Sequence, residues 1–245
     1  MIRASSAMLA LSLTSGVALG MGGGHSKDDP MSEPLIFWAA GAEIDGTDTG
    51  WLDHDGGTLV TWDAYAWAGG DDVKVRLEAE GEALHGDIEE SELRGYVSWN
   101  VAEFWDLQAG ARYDFAPDGM LWTAVGLHGL APYFFETDAH VFLSEDGDAA
   151  LRLEQSIDLA VTQDTFLEPH AELNVYAQDI PALNVGAGIA NIELGLKTRF
   201  EVTRKFAPYI DLVYERALGE TASIARATGE DTETTTLRLG LRVRL

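Results

Sequence analysis

The chain closes on TLRLGLRVRL (236–245), where Leu237, Leu239, Leu241, Val243 and Leu245 alternate with positions that include Arg238, Arg242 and Arg244. The same alternation fills DVKVRLEAEGE, with Val73, Val75, Leu77 and Ala79 set between Lys74, Arg76, Glu78 and Glu80. It recurs in WDLQAGARYDF, ALRLEQSIDLAV, EPHAELNVYA and NIELGLKTRFEV. A period of two gives a strand with one apolar and one polar face. The pattern predicts strands at about 35–44, 59–68, 72–81, 89–101, 104–115, 120–131, 133–144, 149–161, 166–178, 189–203, 207–218 and 232–245. Twelve strands leave both ends of the chain on one side. Without 35–44 the count becomes odd, and ten strands are then the alternative.

Such strands suit either a soluble sandwich or a transmembrane antiparallel β-barrel. Three features select the all-β, outer-membrane type of barrel. First, Lys74, Arg76, Arg94, Arg112, Arg152, Lys197, Arg199, Arg238, Arg242 and Arg244 all fall on polar faces, beside many carboxylates. Arginine facing lipid at mid-bilayer costs about 2–4 kcal/mol, so a shared interior explains the segregation. Second, the connections alternate in length. DGTDTGWLDHDGGT, EALHGDI, APDG, EDGD, DIPALNVGAG and GETASIARATGED are expected on the outer side, against AGG, AE, Pro132, TQDT and RKF on the periplasmic side. Third, aromatic residues gather at predicted strand ends. Trp67, Trp99, Phe104, Trp105, Tyr133, Phe134, Phe166 and Phe206 form one expected belt. Tyr113, Phe115, Trp122, Phe142, Tyr176 and Tyr214 form the other.

Charge and composition narrow the function. With 16 Lys+Arg against 41 Asp+Glu, the net charge is −25, which excludes a nucleic-acid partner and favours cations. The absence of cysteine excludes disulfides and thiolate metal sites. Residues 1–20 have the form of an export signal, a basic start followed by AMLALSLTSGVALG. Residues 21–34 (MGGGHSKDDPMSEP) are expected to be a flexible periplasmic segment, and 35–245 the barrel. The expected location is the outer membrane of a Gram-negative bacterium, with its lipid as solvent.

Several strings in order then point to a family: WDAYAWAGGD (62–71), KVRLEAEGE (74–82), FWDLQAGARYDF (104–115), GLAPYFFETDA (129–139), RKFAPYID (204–211) and GETASIARATGED (219–231). From about residue 58 onward the chain resembles the copper resistance protein B family. The resemblance implies an outer-membrane barrel taking part in copper handling, with copper ions as ligand and a periplasmic multicopper oxidase as partner. Members often carry a Met- and His-rich segment after the signal. Here that segment holds only Met21, His25 and Met31, so no high-capacity copper binding is expected from it.

Alternation places His128, His140 and His170 in the lumen beside Glu136, Asp138 and Glu172. Imidazole with carboxylate suits Cu(II), Zn or Ni, so these six are the candidate metal ligands. The same groups would equally serve a hydrogen-bonded lumen. Lys74, Arg76, Glu78, Glu80, Arg112, Asp114, Arg152, Glu154, Glu201, Arg238 and Arg242 are expected to form a structural ion-pair network that fills the barrel. Asp45, Asp48, Asp53, His54 and Asp55 are expected in a solvated acidic outer loop. An outer-membrane hydrolase needs a Ser–His pair on the outer wall. None occurs on the predicted lipid face, so no catalytic residue is assigned and the chain is expected not to be an enzyme. A general small-solute or structural barrel without a metal role is the alternative to copper handling.

Overall fold

The computed structural model describes residues 36–48 and 57–245. The export signal, the 21–34 segment, and Asp53, His54 and Asp55 lie outside the described residues. The strands are β1 (Phe37–Asp48), β2 (Thr58–Gly69), β3 (Val73–Leu84), β4 (Asp87–Ala102), β5 (Trp105–Ala116), β6 (Met120–Ala131) and β7 (Phe135–Ser144). They continue as β8 (Ala149–Ser156), β9 (Leu159–Ala160), β10 (Thr165–Tyr176), β11 (Gly188–Phe200), β12 (Phe206–Ala217) and β13 (Glu233–Arg244). An α-helix, α1 (Gly219–Thr228), precedes β13.

Apart from β8 and β9, each strand pairs antiparallel with the next, and β13 pairs with β1, so the sheet closes on itself. Segments β8 and β9 both pair with β10 and together form one wall strand. The cylinder therefore has twelve strands. The break in that strand has a local cause. Ile157 donates to the carbonyl of Pro169 at 3.3 Å, but Pro169 has no N–H to return, so the ladder lapses there. The predicted strand at 35–44 is present and longer, and it seals the barrel through pairs such as Glu43 with Arg242 and Ile44 with Leu241.

Alternation sorts the side chains as the pattern requires. Val73, Val75, Leu77, Leu237, Leu239, Leu241 and Val243 lie exposed on the outer wall, while Arg76, Glu78, Glu80, Arg238 and Arg242 are buried inside. Closure satisfies the backbone without an edge, which is what a strand needs in order to cross lipid.

Four expectations need correction. EALHGDI is not a loop: β3 and β4 run on to a two-residue turn at His85 and Gly86, with φ of 57° and 92°. Consecutive positive φ values suit a tight hairpin, and Gly86 adopts its value without strain. GETASIARATGED is largely helical, since α1 covers Gly219–Thr228 and ends on Gly229 at φ 81°. Asp45 and Asp48 belong to β1 rather than to the acidic loop. Asp45 accepts hydrogen bonds from Thr61 Oγ1 and, at 2.7 Å, from the Tyr209 hydroxyl.

The fourth correction concerns the aromatic belts. Trp99, Phe104, Tyr133, Phe134 and Phe206 are exposed at one end, and Tyr113 and Phe115 at the other. Trp122 and Phe142 instead point inward, where they form an apolar cluster with Tyr96, Met120, Ile180 and Val185, and Tyr176 packs against it. Phe166 also lies inside, beneath the Arg199 guanidinium, 5.0 Å from ring centroid to Cζ. Trp67 shares the inward parity of Asp63. The outer end of the lumen is thus closed by apolar side chains, and there the polar–apolar alternation no longer distinguishes inside from outside.

Candidate functional site

The interior is built from charged side chains on nearly every strand. One group centres on Arg94 and Arg152. Arg94 pairs with Glu78 (3.1 Å), Glu80, Glu92 (3.3 Å) and Glu154 (3.6 Å). Arg152 meets Glu92 at 2.9 Å, Glu172 at 3.6 Å and Glu80 at 3.7 Å. Arg112 joins Glu92 (2.9 Å) to Asp114 (2.6 Å), Arg76 pairs with Glu78, and Lys74 reaches Asp106 at 3.0 Å.

A second group centres on Glu168. It receives Arg199 and, at 3.2 Å, Arg242, which also pairs with Glu43. Lys197 reaches Glu43 at 2.7 Å. Arg199 further meets Asp158 at 2.8 Å and lies 3.7 Å from Glu201, and Arg238 lies 3.9 Å from Glu215.

Several of these contacts span the cylinder. Arg152 on β8 meets Glu92 on β4, with three wall strands between them. Arg242 on β13 meets Glu168 on β10 in the same way, across two. Such pairs fill the section with side chains rather than lining an open channel. Each predicted network residue lies in or beside one of these groups. Pattern reasoning missed two hubs, Glu43 and Glu92. Glu92 lies two positions before Arg94, which parity had placed inside, whereas Glu43 lies two before Asp45, which had been expected in the outer loop, so no neighbour marked its face.

The candidate ligands divide between two walls. On β6 and β7, His128 Nδ1 lies 2.7 Å from Asp138 Oδ1. An ionised carboxylate only accepts, so Nδ1 donates here, and in the neutral ring the lone pair is then on Nε2. That Nε2 is buried and has no hydrogen-bond partner among the described residues. His140 lies diagonally across, stacked between Tyr96 and Phe142 at 4.9 and 5.9 Å, with Nε2 2.8 Å from Gln108 Oε1. On the β10–β12 wall, His170 Nε2 lies 3.2 Å from both Asp211 carboxylate oxygens, and Nδ1 lies 3.7 Å from Glu193.

Glycine makes room for two of the rings. A Cβ at Gly126 would strike the ring of His140, and one at Gly195 the ring of His170. Glu172 accepts from Asn174 at 2.6 Å, and Glu136 stands opposite Ser156. Among the described residues, no group of three or more His, Cys, Asp or Glu side chains is placed to hold a metal ion. The structure therefore brings His128, Asp138 and His140 near one another and keeps His170 with Glu172 apart from them.

The outer end is capped from within by the 177–187 connection. Ile180 and Val185 are buried against Trp122 and Phe142. Gln178 donates to Asp148 at 2.8 Å, and Thr221 of α1 accepts from the Gly186 N–H at 2.9 Å. Below this cap, Glu92, Arg112, Asp114, Arg152 and Asn174 line a cavity of 190 Å³.

Comparison with known proteins adds the family. The profile described as Copper resistance protein B precursor (CopB) matches residues 48–245. The chain belongs to the CopB family. A copper resistance protein B homolog of Pseudomonas syringae pv. tomato is 39% identical over 194 residues, covering 79% of this chain and 66% of that protein. Copper resistance protein B of Escherichia coli is 37% identical over the same shares. The chain thus spans 66% of the length of these relatives. Among solved structures, a NanC porin aligns with a TM-score of 0.55 at 12% identity, covering 85% of this chain and 100% of that one. That likeness concerns fold alone. Family and architecture together make this an outer-membrane-type β-barrel of the CopB family.

Proposed function

We propose that this CopB-family barrel binds copper ions within its carboxylate- and histidine-bearing interior and passes them along it, without chemical catalysis. The observation that carries the reading is His128, whose Nδ1 is held by Asp138 while Nε2 is buried with no hydrogen-bond partner among the described residues. A carboxylate behind an imidazole orients the ring and raises its basicity toward a metal on the other nitrogen. His140 on the neighbouring strand offers a second imidazole, and the many lumen carboxylates favour a cation over an anion. Passage requires the cross-lumen pairs and the 177–187 cap to rearrange. The oxidase that the family resemblance implies would meet the barrel at its short-turn, periplasmic end.

A barrel without a metal role is the second reading. It is favoured by the absence, among the described residues, of a three-ligand group. Copper titration of the refolded barrel separates the two. Copper handling predicts saturable binding with a Kd on the order of micromolar, lost in His128→Ala and weakened in His140→Ala. Flat curves in the wild-type barrel would select the second reading.

A further inference from the structure

The short-turn end carries a feature that copper handling does not use. Arg204 and Lys205 are exposed in the turn between β11 and β12, and neither side chain has an ion-pair or hydrogen-bond partner among the described residues. In a chain of net charge −25 with so few basic residues, unpaired cations at one rim need a reason. Behind them, Arg199, Arg242 and Arg244 converge on the same small depression, whose only acidic lining residue is Glu201. Arg199 is 99% buried, and its Nε makes no hydrogen bond, lying 3.7 Å from Glu201 Oε1. Asp158, Glu168 and Glu43 neutralise Arg199 and Arg242 from within, so the positive charge this rim presents outward is that of Arg204 and Lys205.

The same turn is apolar on its outer side. Phe200, Val202 and Phe206 are all exposed where the wall meets the bilayer interface. Cations at a rim, next to rings and an aliphatic group directed at lipid, match the two halves of a phospholipid: an anionic headgroup and acyl chains. A free anion has no use for the apolar half.

We propose that the β11–β12 turn, with Arg204, Lys205 and Arg244, binds the phosphate of an anionic phospholipid in the inner leaflet of the outer membrane. Phe200, Val202 and Phe206 lie against its chains. The bound lipid neutralises the basic rim and fixes the barrel's depth at the periplasmic interface.

Native mass spectrometry of the full chain in neutral detergent tests this, with phosphatidylglycerol and phosphatidylcholine as probes. The wild-type barrel should retain phosphatidylglycerol in preference to phosphatidylcholine. Two surface charges at about 1 kcal/mol each predict that Arg204→Gln with Lys205→Gln weakens phosphatidylglycerol binding about thirtyfold. Arg226→Gln, an exposed cation on α1 at the opposite end, should leave binding unchanged. Both variants alter exposed positions, and the heat-dependent gel mobility typical of folded barrels checks that each has folded. Inorganic phosphate at millimolar concentration should not displace the lipid. Equal retention by wild type and the double variant, no preference for the anionic lipid, or displacement by inorganic phosphate would each overturn the proposal.

Discussion

Replacing Glu168 with alanine is expected to destabilise the barrel by about 3–5 kcal/mol, the range for breaking a buried ion pair from one side. Glu168 is 1% exposed and holds two guanidiniums, Arg199 and Arg242. Without it the two cations face one another in a closed interior. Arg199 keeps Asp158 and Glu201, and Arg242 keeps Glu43, which sets the loss below complete unfolding. Glu168→Gln should lose nearly as much, because an amide restores the volume but not the charge. The double replacement Glu168→Leu with Arg242→Met should lose clearly less than the two single losses added together, because the pair is removed as a unit while Arg199 keeps Asp158 and Glu43 keeps Lys197. Urea unfolding in phospholipid vesicles measures each of these variants. A loss under 1 kcal/mol for Glu168→Ala would mean that water already screens this pair and that the lumen is open.

The second large effect lies on the other face of the wall. Leu239 sits midway along β13 and is 61% exposed on the outside. Leu239→Arg should cost about 2–4 kcal/mol, because the guanidinium would meet acyl chains at mid-bilayer. The same substitution at Leu245, the last position of the chain, should cost about 0–1 kcal/mol, because the interface hydrates the charge. The contrast in position is the diagnostic feature. A soluble sandwich would tolerate arginine at an exposed Leu239 with almost no loss.

Both effects follow from a pattern that was legible in the chain. Leu237, Leu239, Leu241 and Val243 against Arg238 and Arg242 define two faces, and twelve such segments closing through β1 and β13 define the cylinder. The lumen network followed because parity alone places Arg76, Glu78, Arg94 and Arg152 inside.

The illegible parts each have a physical reason. Trp122 and Phe142 looked like belt residues because a ring at a strand end suits either a bilayer interface or an apolar plug. What decides is the burial of Ile180 and Val185 beside them, a tertiary fact carried by a loop. Asp45 looked like a loop acid because β1 runs past the last clear alternation, through Gly46 and Thr47, to Asp48. Helix α1 was hidden in a connection where Gly219 and Gly229 bracket a short segment that packs chiefly against β11 and β12. Which carboxylate meets which imidazole was also beyond pattern reasoning. His128 with Asp138 follows from the β6–β7 register, whereas His170 with Asp211 joins strands that are not adjacent.

The central claim is that charged side chains share the inside of a closed cylinder while their aliphatic neighbours touch lipid. Single cysteines introduced from Thr236 to Val243 into this cysteine-free chain, then spin-labelled in vesicles, test it directly. Oxygen accessibility should alternate, high at 237, 239, 241 and 243 and low at 236, 238, 240 and 242. Uniform accessibility along the segment, or a water-soluble folded protein that never partitions into the vesicles, would contradict it.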